Sequence, residues 1–156
     1  MDGNGFMRRA IELARNGMTA GAGGPFGAVV VRDGRVVGEG WNRVIADGDP
    51  TAHGEIVAIR DAARRLGTYC LEGCQLYTTG QPCPMCLGAV YWARIDRVYY
   101  GFSITEAAAI GFDDAAFYRE FGLPPDQRKV PCLALPVEEI QALMAEFAGM
   151  PDRARY

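Results

Sequence analysis

The sequence His53-Gly54-Glu55 is followed about thirty residues later by Pro82-Cys83-Pro84-Met85-Cys86. One imidazole and two thiolates give Zn²⁺ three protein ligands, and the fourth tetrahedral position stays open for water. The metal lowers the pKa of that water from about 16 toward about 7, so hydroxide becomes available at neutral pH. Glu55 lies two residues from His53, where its carboxylate can carry protons beside the metal. The motif therefore predicts a hydrolytic zinc site with ligands His53, Cys83 and Cys86.

The pairing of the two motifs separates this interpretation from others. His53 is the only histidine in the chain, so no second imidazole can complete a site. An H-x-E with a later P-C-x-x-C is typical of zinc deaminases, whereas a C-x-x-C alone also occurs in redox pairs and structural zinc knuckles. A structural site requires a fourth protein ligand, from Cys70, Cys74 or Cys132. We expect these three to be small buried hydrophobic residues instead, which leaves one open Zn²⁺ site per subunit.

Composition limits the partners that the chain can have. A length of 156 residues fits one domain, and the net charge of −3 disfavours an extended polyanion such as a nucleic acid. No apolar run approaches a membrane span, and the N-terminus lacks the features of a signal peptide. Five cysteines, two of them assigned to the metal, fit a reducing cytoplasm. We therefore expect a soluble cytoplasmic enzyme with a small-molecule substrate and no membrane partner.

Hydrophobic periodicity and turn signals predict an alternating order of helices and strands. The predicted helices cover residues 5–16, 53–66, 85–93, parts of 105–121, and 137–147; the predicted strands cover 26–31, 35–39, 74–79, 97–102 and 130–135. Gly17 and Gly67 are expected to end the first two helices, and Asp33-Gly34 predicts a hairpin. This order predicts a three-layer α/β fold in which helices cover both faces of a mixed five-stranded sheet. Both ligand motifs fall at helix N-termini, where the helix dipole favours thiolate.

Several strings of this sequence resemble the cytidine deaminase-like superfamily and, within it, the bacterial guanine deaminases. They are residues 23–28 (GGPFGA), 53–55 (HGE), 82–89 (PCPMCLGA) and 91–94 (YWAR), and for the guanine deaminases also Asn42, residues 109–114 (AIGFDD) and the terminal Tyr156. The likeness extends from about Phe6 to Tyr156. It implies the cytidine deaminase-like fold and the hydrolytic deamination of a free amino-purine base, most simply guanine to xanthine with release of ammonia.

The resemblance also implies roles for individual residues. Asn42 would hydrogen-bond the purine, Phe26 would stack on it, and Asp114 would be a second proton carrier beside Glu55. Gly54, through its backbone N–H, and Trp92 would belong to the substrate pocket. Without the resemblance, we would interpret Asp113-Asp114 as a solvated acidic pair on the surface, and Phe26 and Trp92 as core residues.

The resemblance finally implies a homodimer. Residues 137–156 would form a C-terminal segment that closes an active site, swapped between subunits, with Tyr156 as the cap of the pocket. From the residues alone, positions 150–156 read as a frayed tail.

Two departures from the family's usual sequence leave other substrates open. Gly54 stands where Ala is common, and Gly80-Gln81 stands where Cys-Glu is common. The alternatives are a related small ring or nucleoside, such as ammeline or another aminotriazine, isocytosine, a pterin or guanosine. A tRNA adenosine deaminase shares both zinc motifs, but the net charge of −3 and the absence of a Lys/Arg cluster disfavour it. A non-catalytic structural zinc domain would have four protein ligands and no exchangeable water.

Overall fold

A four-stranded mixed sheet forms the centre of the first of two units in this computed structural model, which describes residues 2–156. The units are Met1–Tyr118 and Arg119–Tyr156. The elements in chain order are α1 (Gly3–Thr19), β1 (Gly27–Arg32), β2 (Arg35–Trp41), α2 (Val44–Asp47), α3 (Gly54–Leu66), β3 (Cys74–Gly80), α4 (Pro84–Trp92), β4 (Arg97–Phe102), α5 (Ile104–Ala109), α6 (Asp114–Phe121), a 3₁₀ turn (Pro125–Gln127) and α7 (Glu138–Gly149).

The strand order in the sheet is β2-β1-β3-β4. β1 pairs antiparallel with both β2 and β3, whereas β3 and β4 are parallel and are connected through α4. Asp33 and Gly34 have φ values of 50° and 71°, which is the geometry of a type I′ turn between β1 and β2. The predicted hairpin and the mixed sheet are therefore confirmed.

Alternation along β1 and β3 builds a separate core on each face of the sheet. The core on the side of α3 and α4 contains Ala28, Val30, Ala58, Ala62, Leu76 and Val90. The core on the side of α1 contains Phe6, Leu13, Val29, Val31 and Tyr77. Helices thus cover both faces, as the three-layer prediction requires, and β1 and β3 are buried from both sides.

The predicted end of α1 at Gly17 is wrong, because the helix continues to Thr19. Gly17 is buried inside the helix, and a methyl group in its place would overlap the indole of Trp41. The glycine is needed there for the close approach of a side chain, not for a left-handed turn. Gly67, by contrast, ends α3 as predicted, in the left-handed conformation with φ of 66°.

Two further predictions differ from the structure. The described residues contain four strands and not five, since residues 130–135 form no ladder. Pro131 lies within that segment and lacks an N–H donor for a strand ladder, and Pro136 comes directly after residue 135. The helical region predicted within 105–121 is two helices, α5 and α6, separated at Gly111, which has a φ of +98°.

The second unit consists of the end of α6, the 3₁₀ turn and α7. None of its residues is buried, and α7 exposes the apolar side chains of Ile140, Leu143, Met144 and Phe147. In the part of the chain from residue 2 onward, no helix has both the length and the apolar composition of a membrane span.

Candidate active site

Three side chains from two helix N-termini form a compact group of metal ligands. His53 is the N-cap of α3, Cys83 is the N-cap of α4, and Cys86 lies in the first turn of α4. The Nδ1 atom of His53 lies 3.6 Å from Sγ of Cys83 and 3.5 Å from Sγ of Cys86. Zn–N and Zn–S bonds of about 2.0–2.1 and 2.3 Å at a tetrahedral angle require an N···S distance of about 3.6 Å. The group therefore fits tetrahedral Zn²⁺ with three protein ligands.

The other cysteines do not complete a four-ligand site within the first unit. Among residues 2–156, His53, Cys83 and Cys86 form the one group of three or more candidate ligands. Cys74 is fully buried in the core beside α3 and α4, and burial raises the pKa of its thiol. Cys70 is half-buried, so the expectation that it is a buried hydrophobic residue is wrong, and so is that expectation for Cys132, which is exposed. The donor set favours an open site.

The N-terminus of α4 favours the ionised form of Cys83. Its sulfur accepts a hydrogen bond from the backbone N–H of Cys86 at 3.5 Å. The pKa of Cys83 falls to about 4, first because the Cys86 thiol donates to its sulfur and also because of the hydrogen bond to His53. The pKa of Cys86 rises for the complementary reason, since it is the donor in that bond and is also buried. A divalent cation held by both sulfurs would bind each of them as a thiolate, so Cys86 would also lose its proton.

Glu55 lies in the first turn of α3 and is 4% exposed. Burial, with a smaller contribution from the nearby Cys83 sulfur, raises the pKa of its carboxyl group to about 7. A group with a pKa near neutrality can both accept and return a proton at physiological pH. Glu55 therefore has the environment of a proton carrier beside the ligand group.

A cavity of about 410 Å³ opens over the ligand group. Six of the predicted site residues line this cavity: Phe26, Asn42, His53, Glu55, Cys83 and Asp114. Cys86 lies directly behind it, fully buried against His53. Gln81 and Phe112 also line the cavity, and no role was predicted for either residue from the sequence.

Phe26 is held in place from several sides. The backbone on either side of it is pinned by Thr79, whose hydroxyl accepts from Gly27 N at 3.1 Å and donates to Pro25 O at 3.0 Å. The edge of one ring meets the face of the other between Phe26 and Phe112, with centroids 4.7 Å apart. The two rings form a rigid apolar wall of the cavity, and the position of Phe112 two residues before Asp114 was the available sequence signal.

Asn42 presents a defined hydrogen-bonding group. Its side chain is 5% exposed, and its Oδ1 accepts from the backbone N–H of Val44 at 3.2 Å. Because the carbonyl oxygen is engaged by an N–H donor, the amide NH₂ is the group that remains to donate. Asn42 is therefore suited to recognise an acceptor atom, such as a ring nitrogen or a carbonyl oxygen.

The two acidic residues before α6 separate into different environments. Asp113 is exposed, whereas Asp114 is half-buried at the first position of α6 and lines the cavity. Burial raises the pKa of Asp114, and the Cys83 sulfur adds to this effect. The interpretation of the pair as solvated surface therefore applies to Asp113 alone.

Three residues of the predicted pocket lie elsewhere. Gly54 is buried at the start of α3, where a Cβ atom would lie 2.9 Å from the carbonyl oxygen of Phe26, and it does not line the cavity. Trp92, the last residue of α4, has 63% of its side chain exposed and is not part of the cavity wall. Tyr156 ends the second unit with 71% exposure. Their predicted roles stay predictions.

Comparison with known proteins agrees with this geometry. Residues 2–102 match the cytidine and deoxycytidylate deaminase zinc-binding region. The chain is 49% identical to the guanine deaminase of Bacillus subtilis over 151 residues, which are 97% of each protein. It superimposes on a crystal structure of that enzyme with a TM-score of 0.96 and 44% identity, covering 100% of this chain and 99% of the other. The chain belongs to the guanine deaminase family.

Two more distant relatives show the range around this family. The tRNA-specific adenosine deaminase of Haemophilus influenzae is 46% identical over 114 residues, which are 69% of this chain and 65% of that protein. A solved structure of NE0047 in complex with 2,6-diaminopurine has a TM-score of 0.67 and 35% identity, and the match covers 70% of this chain and 61% of the other. As a member of the guanine deaminase family, the protein is a zinc hydrolase that acts on C–N bonds of cyclic amidines, with one Zn²⁺ per subunit.

Replacement of one ligand should remove the metal while replacement of another thiol should not. We expect Cys86→Ser to lose most of its zinc, because a serine hydroxyl is a poor substitute for thiolate. Cys132→Ser, which changes an exposed thiol, should retain one zinc per chain. Zinc content by inductively coupled plasma mass spectrometry measures both. Loss of zinc in Cys132→Ser, or full zinc in Cys86→Ser, would contradict the ligand set.

Proposed function

We propose that this protein hydrolyses guanine to xanthine and ammonia, with Zn²⁺ held by His53, Cys83 and Cys86. The observation that carries the proposal is the combination of an open three-ligand group with the buried carboxylate of Glu55 at the wall of one cavity. When bound, zinc acidifies water and supplies hydroxide near neutral pH.

The residues of the chain supply the proton transfers. Glu55 accepts a proton from the attacking water and delivers it to the ring nitrogen next to the amine-bearing carbon. Asp114, on the same cavity, protonates the amine as the C–N bond breaks and ammonia leaves, and the second proton of the attacking water, released as the new carbonyl group forms, returns to Asp114. The raised pKa values of both carboxyl groups suit this work, because each group can hold a proton until the substrate takes it.

The cavity walls favour a flat heterocycle with acceptor atoms on its rim. The Phe26 ring lines the cavity and gives it an apolar aromatic surface against which such a ring can pack. The NH₂ group of Asn42 can donate to a carbonyl oxygen or an unprotonated ring nitrogen of guanine. A purine base therefore meets the two kinds of contact that the walls provide.

A substrate panel tests the proposal. We expect ammonia release from guanine to exceed that from guanosine, ammeline, isocytosine, a pterin, cytosine, adenine and an adenosine-containing tRNA anticodon arm. Glu55→Gln should keep its zinc and lose activity by about 10²–10⁴-fold, because the amide cannot accept the proton. Coupled ammonia assays and zinc analysis measure these values.

The outcomes of the panel are distinct. No ammonia from guanine by the zinc-loaded enzyme would refute the proposed substrate, and turnover of another ring would identify the replacement. Full activity of zinc-loaded Glu55→Gln would refute the role of that residue. Activity only on the anticodon arm would favour the tRNA deaminase alternative.

We also propose that the protein is a homodimer in which the C-terminal segment of each subunit closes the active site of the other. The second unit supports this proposal, because a segment of 38 residues without one buried side chain cannot be stable as an independent domain. Its apolar side chains need a covering surface: Val130, Leu133 and Leu135 are 78%, 75% and 86% exposed, and α7 exposes an apolar face.

A mixed dimer tests whether the segment is swapped. The heterodimer joins one Glu55→Gln chain to one Tyr156→Ala chain and is purified through two different tags. If the C-terminal segment is exchanged, one of its two sites has both an intact Glu55 and an intact Tyr156 from the other chain. We expect about half of the wild-type rate from that one site of two. A rate no higher than that of the Tyr156→Ala dimer would show that each segment closes its own site, and a monomer in solution would refute the dimer.

The same thiols suggest the compartment. Cys83 and Cys86 are free, and oxidation of either would remove a metal ligand. We therefore propose that the protein works in the reducing cytoplasm.

A further inference from the structure

The segment that carries Phe112 and Asp114 has little core of its own. α5 buries Ala107 alone, and α6 buries no residue. A helix without buried side chains obtains its position from a few specific contacts instead of from packing. The orientation of Asp114 at the start of α6 therefore depends on what fixes that helix.

Two hydrogen bonds and one ring contact are among the contacts that attach this segment to the rest of the first unit. The backbone N–H of Ile104 donates to Oε1 of Gln81 at 3.2 Å, and the Phe112 ring packs against Phe26. The third contact acts on α6 itself, where the hydroxyl of Tyr118 donates to the carbonyl oxygen of Pro82 at 2.8 Å.

Tyr118 forms its hydrogen bond with the loop that leads into the metal ligand Cys83, which we call the metal-binding loop. Pro82 is buried and directly precedes Cys83, so the hydrogen bond joins α6 to the residue before a ligand. Tyr118 lies four residues after Asp114, about one helical turn, and the two side chains therefore share a face of α6. Fixing the hydroxyl of Tyr118 fixes the rotation of α6 about its axis, and this rotation determines the direction in which Asp114 points.

We propose that Tyr118 is a positioning residue for Asp114, which it holds in register with the metal-binding loop through the hydrogen bond to Pro82. The inference rests on the proposed function, in which Asp114 protonates the leaving amine. Such a proton transfer requires heavy atoms within about 2.6–3.2 Å, and a misplacement of about 1 Å can lower a rate by about 100-fold. Tyr118 does not line the cavity, so we expect its hydroxyl to act on the reaction through α6.

A double-mutant cycle of Tyr118→Phe and Asp114→Asn tests the inference with guanine as substrate. We expect Tyr118→Phe alone to lower kcat by roughly tenfold, with KM and zinc content little changed. In the Asp114→Asn background the same change should have no further effect, because the group that Tyr118 positions is already absent. Tyr91→Phe is the matched control, since it removes the hydroxyl of a tyrosine that is 71% exposed on α4.

Equal loss of kcat in both backgrounds, or an unchanged kcat in Tyr118→Phe, would overturn the inference. Hydrogen exchange of residues 114–118 in the zinc-loaded proteins provides a readout that does not need turnover. We expect exchange there to be at least several-fold faster in Tyr118→Phe than in wild type or Tyr91→Phe, and equal exchange would also overturn it. Absence of guanine turnover in wild type would refute the proposed function separately, and the exchange result would still decide the role of Tyr118.

Discussion

The structure depends on a balance of charge at the meeting point of two helix N-termini. Two cysteine sulfurs and the carboxyl group of Glu55 are buried together beside a single imidazole, and metal binding requires both sulfurs to be thiolates. Isolated negative charges in such surroundings are costly, and the pKa of Glu55 rises to about 7 for this reason. The dipoles of α3 and α4 offset part of the cost, and a divalent cation offsets the rest. The residues that make the site chemically useful are thus the residues that require the metal.

The sheet fixes the positions of the residues that surround the ligand group and form the cavity. Thr79 of β3 holds the backbone on both sides of Phe26, and Asn42 directly follows the last residue of β2. Asn42 is tied back through its own N–H, which donates to the carbonyl oxygen of Phe26 at 2.8 Å. The apolar wall and the amide donor are therefore parts of one hydrogen-bonded framework. The acidic side of the cavity is different, because α5 and α6 are held by individual side chains and not by a core.

The sequence predicted the features that depend on neighbours along the chain. The H-x-E and P-C-x-x-C motifs identified the ligands, and Gly67 and Asp33-Gly34 marked a helix end and a hairpin because a left-handed conformation is a local requirement. Features that depend on distant residues were missed. Gly17 was interpreted as a helix end because the sequence does not show that the indole of Trp41 packs against it. The extended residues 130–135 read as a strand because periodicity does not reveal whether a partner strand is available. Nothing local distinguishes Tyr118 from any other tyrosine on a helix.

Hydrolysis at this site requires that zinc be held by one nitrogen and two sulfurs, with a position left for water. X-ray absorption spectroscopy at the zinc edge of the purified protein measures this most directly. We expect two sulfur scatterers at about 2.3 Å and two lighter scatterers at about 2.0–2.2 Å, one from His53 and one from solvent. Three or four sulfurs around the metal would contradict this ligand set, because a further cysteine beside His53, Cys83 and Cys86 would take the position of the water that guanine hydrolysis consumes.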